Sequence, residues 1–466
     1  MAAPLRAGRA TIGFWQSNLG APPSRPPLGG PTEVDVCIVG AGYTGLWTAW
    51  SLRRLAPDLR VMVLEARHVG FGASGRNGGW LSGILPGDRE RLARGPAGRA
   101  GVIALQHALQ AAVDEVIAAC AAEGIDADIH KGGSLAVATT AAQLARLRAE
   151  AATGRDWGLG PDDLVELSSR ELRQRIVVAG AQGGLYTPHC ARIQPAKLVR
   201  GLAAAVERGG GIIHEHTPVT AIAPHRVTTE VGRVHARVVL RATEGFSASL
   251  PESRRALLPM NSSMVVTEPL DPSAWAEIGW ENAETLRDGA HLYAYAQRTA
   301  DGRIALGGRG VPYRFGSRTD REGQIDAGTR RALAATIERL FPPAGRTPIA
   351  QGWCGVLGVA RDWCPAVNFD PVSGLGWAGG YVGDGVATSY LAGATLAELV
   401  TGARSDRTLL PWVGHHSRSW EPEPFRWAGV RAIYRLYRAA DRRESGDAAS
   451  TSHLARLADV ISGRPH

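Results

Sequence analysis

Lysine is nearly missing from this chain: Lys131 and Lys197 are the only two among 52 basic residues. The rest is arginine spread along the whole length. The formal charge of +8 therefore comes without the basic stripe and interleaved aromatics of a nucleic-acid groove, and no nucleic-acid partner is expected. The skew reads as the codon bias of a GC-rich genome. Arg431, Arg435, Arg438 and Arg442 do recur at helical spacing. They read as a solvated helix face, with an oligomer contact or an anionic surface as alternatives. Long apolar runs are missing too, none reaching the length of a membrane span. Residues 1–31 carry Arg6 and Arg9 but no apolar core like that of a secretory signal. An extended arm rich in proline and glycine is expected there, and a cytoplasmic protein. Cysteines are few and odd in number: Cys37, Cys120, Cys190, Cys354 and Cys364 offer no metal-ligand spacing, so reduced thiols and no metal are expected.

What the chain has is glycine, 58 residues in 466, enough length for two domains, and one ordered set of those glycines. The apolar run Val36-Cys37-Ile38-Val39 leads into Gly40-Ala41-Gly42-Tyr43-Thr44-Gly45, then a helical stretch. A second strand over 60–64 ends on Glu65, twenty residues after Gly45. That order is the dinucleotide-binding fingerprint. Gly40 makes the turn, Gly42 lets a pyrophosphate approach the backbone, and Gly45 packs the helix against the strand. Phosphates would sit at the helix N-terminus, around Tyr43 and Thr44, where unpaired N–H groups and the helix dipole favour negative charge. Glu65 can accept hydrogen bonds from ribose hydroxyls, which argues against a 2'-phosphate there.

The next segment runs Ala66-Arg67-His68-Val69-Gly70-Phe71-Gly72-Ala73-Ser74-Gly75-Arg76-Asn77-Gly78-Gly79-Trp80, where a nicotinamide enzyme would continue into a helix. It resembles the flavin-contacting loop of the FAD-dependent amine and amino-acid oxidoreductases, the D-amino-acid oxidase and glycine oxidase superfamily. Its wording is most similar to the gamma-glutamylputrescine oxidoreductase branch. Three later segments, 195–219, 238–245 and 379–386, are similar to the family's remaining flavin motifs. The resemblance implies FAD held without a covalent link. Its contacts would be Ala66, Arg67, Gly72, Ala73, Ser74, Arg76, Asn77, Gly78 and Gly79 in the loop, the backbone of Val219 at the adenine, and Thr243 and Gly355. Gly383, Gly385 and Val386 would open a helix facing the isoalloxazine. It also implies an α/β fold: a discontinuous, Rossmann-like FAD-binding domain with a parallel sheet over 31–95, 180–250 and 350–402. An antiparallel-sheet α+β substrate domain would take 96–179 and 251–349, between an N-terminal arm (1–30) and a helical tail (403–466). Residues 96–180 read as helical; 293–307 reads as a hairpin with an Asp301-Gly302 turn.

The chemistry so implied is oxidation of a C–N bond in a small amine, with hydride passing from the alpha carbon to flavin N5 and the imine hydrolysed by water. Tyr295 matches the family's substrate-binding tyrosine, the alternative being a packed strand tyrosine. Trp80 lines the pocket, and Arg309 meets an anionic substrate end or is simply exposed. Asp384 attracts a cationic amine or caps the following helix. Leu357 stands where glycine-oxidase-like members carry an arginine for the alpha-carboxylate. The substrate is therefore expected not to be a simple alpha-amino acid, with Arg309 or Arg361 meeting a more distant anion. Ala305 replaces the lysine that activates oxygen in sarcosine-oxidase-like members, so oxygen or another acceptor takes the electrons. No histidine stands at Arg76-Asn77 for a histidyl link; Cys354 lies near the position of a cysteinyl one. Alternatives are an amino-acid oxidase or dehydrogenase of the same family, an FAD monooxygenase using NAD(P)H, and a protein that holds FAD structurally. None of these motifs sets an oligomeric state.

Overall fold

The computed structural model describes residues 13–464 other than 18, 21, 309, 311, 320, 321, 447 and 449. Short runs of branched aliphatic residues build its first sheet. Strands β1 (Thr32–Val39), β2 (Val61–Leu64), β8 (Ile212–His214), β11 (Gly232–Arg241) and β18 (Leu375–Gly379) lie parallel in the order β8-β2-β1-β11-β18. β17 (Ala366–Asp370) closes one edge antiparallel, and the hairpin of β9 (Val219–Ala223) and β10 (Arg226–Thr229) joins β11. From β1 the chain moves outward to β2 and β8, then returns to β11 on the other side. That reversal opens a crevice beyond the C-terminal end of β1, where open parallel sheets bind ligands.

Three helices cover this sheet, Tyr43–Leu55, Pro195–Arg208 and Gly385–Thr401, and a fourth, Gly98–Glu123, packs over the last two. Their shared core includes Leu46, Trp47, Val116, Leu202 and Leu391. Gly393 allows the closest crossing, since a Cβ there would lie 2.8 Å from the backbone nitrogen of Thr48. Among the described residues, Gly98–Glu123 is the one helix long and apolar enough to cross a membrane, a length the expectation of no such run did not foresee. Its Val102, Leu105, Leu109, Val113 and Val116 are buried in this core, so it packs as a core helix.

The second sheet has the order β16 (Ile349–Val359), β12 (Leu258–Thr267), β15 (Ile304–Gly308), β14 (Tyr295–Arg298), β13 (Thr285–Asp288), β4 (Ser134–Ala138), β6 (Gly183–Thr187), β5 (Val165–Ser168). All its pairings are antiparallel except β13 with β4. One face buries Leu135, Trp280, Leu286, Leu306 and Leu333. A two-stranded ribbon, β3 (Trp80–Ser82) with β7 (Cys190–Arg192), stands apart from both sheets. The Asp301-Gly302 turn forms as expected, with Gly302 at φ 75°.

Several boundaries differ from those read in the sequence. Gly183–Thr187 and Ile349–Val359 were expected with the nucleotide domain but pair into the second sheet, while Gly98–Glu123 shares the core of the first sheet by packing on its helices. Strands β4 and β5 interrupt the stretch read as helical. A short apolar run does not announce its sheet, because its partners lie far away in sequence. The arm is also clasped rather than simply extended: Phe14–Ser17 is a helical turn whose Phe14 and Trp15 rings lie 6.0 and 5.9 Å from Trp353. Near the other end, helix Phe425–Glu444 buries Val430, Tyr437 and Ala440. Of its arginines, Arg431 lies 4.9 Å over the Trp427 ring and Arg438 donates to the carbonyl of Gly310.

Arg25 is 7% exposed and pairs with Glu207 at 2.7 Å and with Glu215, itself 2% exposed, at 3.3 Å. Removing the guanidinium strands a buried carboxylate, which costs about 3 kcal/mol or more. Arg25→Ala is expected to lower the thermal midpoint by several degrees, and adding Glu215→Gln is expected to recover part of that loss in the same calorimetric scan.

Candidate cofactor and substrate site

Each fingerprint glycine has a steric reason to be glycine. Gly40 ends β1 at φ 111°, and a Cβ there would meet the carbonyl oxygen of Ala242 at 2.6 Å. At Gly42, the cap of helix Tyr43–Leu55, a Cβ would lie 2.9 Å from Ser74 Oγ. At Gly45 it would collide with the carbonyl oxygen of Gly40. The helix has no acid in its first turn, which suits an anion at its N-terminus. Its Tyr43 N–H donates to Ser74 Oγ at 2.8 Å, and Thr44 Oγ1 meets the Tyr381 hydroxyl at 3.0 Å. Glu65 accepts from the N–H groups of Ala41 and Arg67, each at 2.9 Å. Burial holds its carboxyl above the ordinary value while those two bonds oppose the shift. Each oxygen retains acceptor capacity for a hydroxyl.

The loop after Glu65 is wedged between the two sheets. Ala66 and Arg67 are exposed at its start. Ala73–Gly75 is a single 3-10 turn, and Gly72 packs under Phe246. Arg76 is buried, lies 4.5 Å over the Phe71 ring and donates to the carbonyl of Cys354 at 3.4 Å. Asn77 braces the loop from inside: its Nδ2 donates to the carbonyls of Ala73 and Ser74, and its Oδ1 accepts from Gly79 N–H at 2.8 Å. Three outside donors hold the loop's carbonyls: Trp353 Nε1 to Arg76 at 2.9 Å, Trp15 Nε1 to Asn77 at 2.8 Å and Gln297 Nε2 to Gly78 at 2.7 Å.

Across the crevice, Val219 opens β9 opposite Thr229, and Thr243 Oγ1 contacts Ser247 Oγ at 2.8 Å. Gly355 touches the loop, since a Cβ there would lie 3.4 Å from Arg76 Cβ. Gly383 has φ 117°, and Gly385 and Val386 begin helix Gly385–Thr401. Asp384 stands at the cap position, yet its side chain makes no capping bond. That corrects the capping alternative. Its charge does reach Cys190, which pairs with Ser82, two residues beyond Trp80.

On the second sheet, Tyr295 lies across Gly307, its hydroxyl 2.9 Å from Ser262 Oγ and its ring 6.2 Å from Trp80 in an edge contact. A Cβ on Gly78 would lie 2.8 Å from this tyrosine ring, so the aromatic pair sits directly on the loop. The Trp80 Nε1 is buried without a hydrogen-bond partner among the described residues. An unpaired buried donor is costly, and a bound molecule would satisfy it. Arg309 lies outside the described residues. Arg361 is committed elsewhere, to Glu421 at 3.0 Å and the carbonyl of Ser462, so it does not serve a distant substrate anion. Leu357 packs with Met260, Tyr313 and Trp420. Cys354 is buried with its sulfur donating to the carbonyl of Gln324 at 3.5 Å.

Sequence reasoning passed over two residues here. Ser262 carried no motif and is found only through its bond to Tyr295. Glu244, noticed merely as too polar, sits at φ 41° and accepts from the N–H groups of Gly380 at 2.9 Å and of Gly358 and Tyr381 at 3.3 Å. Burial pushes its carboxyl up to about 7. Folding also gathers ligand types that sequence spacing did not. Asp362, Cys364 and His415 meet in one place, and His291, Asp441 and Glu444 in another. Both groups are tied by internal hydrogen bonds, such as His415 to Asp362 at 2.8 Å and His291 to Glu444 at 2.9 Å.

The close-approach glycines, the acid-free helix N-terminus and the orphaned indole N–H together fit a flavin dinucleotide. A family model described as DAO, FAD dependent oxidoreductase, matches residues 35–399. Gamma-glutamylputrescine oxidoreductase of Escherichia coli (strain K12) is 29% identical over 385 residues, 79% of this chain and 84% of the relative. A probable oxidoreductase OrdL of Haemophilus influenzae is 28% identical, over 81% of this chain and 85% of its own length. Among solved structures, glycine oxidase from Geobacillus kaustophilus superposes with a TM-score of 0.67 at 22% identity, covering 84% of this chain and all of that one (100%). At that identity the likeness shows the fold.

Two variants test the site. Gly45→Ala drives a methyl into backbone, so the purified protein is expected to lose most of its flavin, read as the flavin-to-protein absorbance ratio. For Glu244, a folded-state value near 7 against an ordinary 4.5 means the native state binds the extra proton between those limits. Stability should then fall as pH rises from 4.5 to 7, by on the order of 3 kcal/mol. Urea unfolding across that range should show this slope in the wild type and a flatter one in Glu244→Gln.

Proposed function

The chain belongs to the FAD-dependent oxidoreductase family, and from that premise we propose that it oxidises a C–N bond in a small amine other than a simple alpha-amino acid. The observation that carries this reading is the aromatic pair of Tyr295 and Trp80, seated on Gly78 of the loop with an unpaired indole N–H. Bound FAD would supply the hydride acceptor. The chain's own part is to hold and orient. Gly40, Gly42, Gly45 and Glu65 would hold the dinucleotide, and the loop from Gly72 to Gly79 would hold the ring system. The N-terminus of helix Gly385–Thr401 brings a positive dipole end that stabilises negative charge.

Tyr295, positioned by Ser262, and Trp80 would wall the substrate and exclude water. Asp384, at the head of helix Gly385–Thr401, would supply negative charge that favours a cationic amine. No general base is assigned, since an amine that enters deprotonated needs none. Leu357 in place of a carboxylate-gripping arginine disfavours alpha-amino acids, and the relative from Escherichia coli is named for a gamma-glutamyl amine. Cys354, buried and bonded to a carbonyl, supports attachment without a covalent link. Ala305, buried beside Trp353 and Phe14, leaves oxygen and another acceptor as competing electron sinks. The first sheet and its helices serve as the nucleotide domain, the second sheet as the substrate domain, in a cytoplasmic enzyme.

Anaerobic titration of the yellow protein with primary amines, secondary amines, amino acids and aminophosphonates tests this. Bleaching by non-alpha-amino-acid amines is the expected result, and readmitting air then separates oxidase from dehydrogenase. Bleaching by NADPH alone, with every amine inert, sinks the proposal in favour of a monooxygenase.

A further inference from the structure

A cavity of about 140 Å³ lies over the second sheet, away from the crevice. Its floor is continuous with the aromatic site by strand register. Tyr295 on β14 is paired directly with Arg287 on β13, Arg287 lies beside Ala136 on β4, and Ala136 is opposite Leu185 on β6. Arg287, Ala136 and Leu185 all line the cavity. Neighbouring strands lie about 4.8 Å apart. The cavity therefore begins roughly one strand from Tyr295 and reaches roughly 10 Å from it at β4. Its far wall begins at Gly83, three residues after Trp80.

The cations on the wall of this cavity differ in their partners. Arg287 takes up Glu150 through both carboxylate oxygens, at 2.7 and 2.6 Å. His189 is joined to Asp163 at 2.7 Å. Arg89, which feels the charge of that same Glu150, donates among the described residues to a neutral amide oxygen, Gln106 Oε1, at 3.3 and 3.0 Å. Glu150 is thus taken up by Arg287, and Arg89 stands on the cavity wall with no ion pair among the described residues.

We propose that this cavity receives the anionic distal end of the amine substrate, with Arg89 as the group that binds its carboxylate. This rests on the amine-oxidation reading above and deepens it. The place left by Leu357 is taken by a cation several atoms further from the reacting carbon. The ligand class is an amine whose carboxylate is separated from the oxidised C–N bond by a chain of methylene or amide units. A planar guanidinium suits it because it can bind both carboxylate oxygens.

The test uses the FAD-loaded enzyme and two readouts. Steady-state kinetics compares an ω-amino carboxylate with the n-alkylamine of the same chain length. Calorimetry measures binding of glutarate, a dicarboxylate with no oxidisable C–N bond. In Arg89→Gln the kcat/KM preference for the amino carboxylate should fall about tenfold to a hundredfold, mostly through KM, with a similar weakening of glutarate. Arg89→Lys should keep part of both, and flavin content and thermal midpoint report that each variant is folded. An unchanged preference ratio, or glutarate bound equally by wild type and Arg89→Gln, overturns the proposal. If no amine reduces the wild-type flavin yet glutarate binding still depends on Arg89, the amine reading falls and the anion site stands.

Discussion

Everything in this structure depends on one close backbone approach. Helix Tyr43–Leu55 begins so near the end of β1 that the carbonyl oxygen of Gly40 leaves no room for a Cβ at Gly45. Gly40 in turn lies against the carbonyl of Ala242 at the end of β11. The three backbone segments meet where the sheet reverses its order, so the crevice has a fixed shape and the acid-free N-terminus of the helix opens onto it. A methyl group at this junction would move the helix, and the site with it.

From that junction the loop after Glu65 carries the site to the second sheet. It has little core of its own, and its rigidity comes from elsewhere. Donors from the arm (Trp15), from β16 (Trp353) and from β14 (Gln297) each bind one of its carbonyls. Both layers and the N-terminal segment are thus tied to the same few residues. Tyr295 and Trp80 stand on a platform braced from three sides, the kind of support that precise positioning of a reacting bond needs.

Electrostatically the molecule is uneven in a useful way. Burial leaves Glu65 and Glu244 as carboxyls raised above their ordinary range, each bonded to backbone N–H groups that hold a turn in place. Arg241, close to Glu244, is pulled down to about 10 by the same burial. Arg89, on the wall of the cavity over the second sheet, has no ion pair among the described residues. Substitution of lysine by arginine throughout has a consequence here, because arginine stays charged in sites where a lysine would give up its proton.

The sequence by itself determined the nucleotide fold and the local geometry of its fingerprint and loop. Those features are local: a strand, three glycines, a helix and an acid within thirty residues, and the small-residue loop that follows, whose backbone geometry is written in residue type. The Asp-Gly hairpin that presents Tyr295 was legible for the same reason. Tertiary structure alone decided which sheet received Gly183–Thr187 and Ile349–Val359, that the arm is clasped against Trp353, and that Arg361 is consumed by Glu421. It also brought Ser262 to Tyr295 and set Arg287, Ala136 and Leu185 in one row. These are pairings between residues tens to hundreds of positions apart. No local preference specifies them, because a strand's partner and a cation's counter-ion are chosen by what the rest of the chain places beside them.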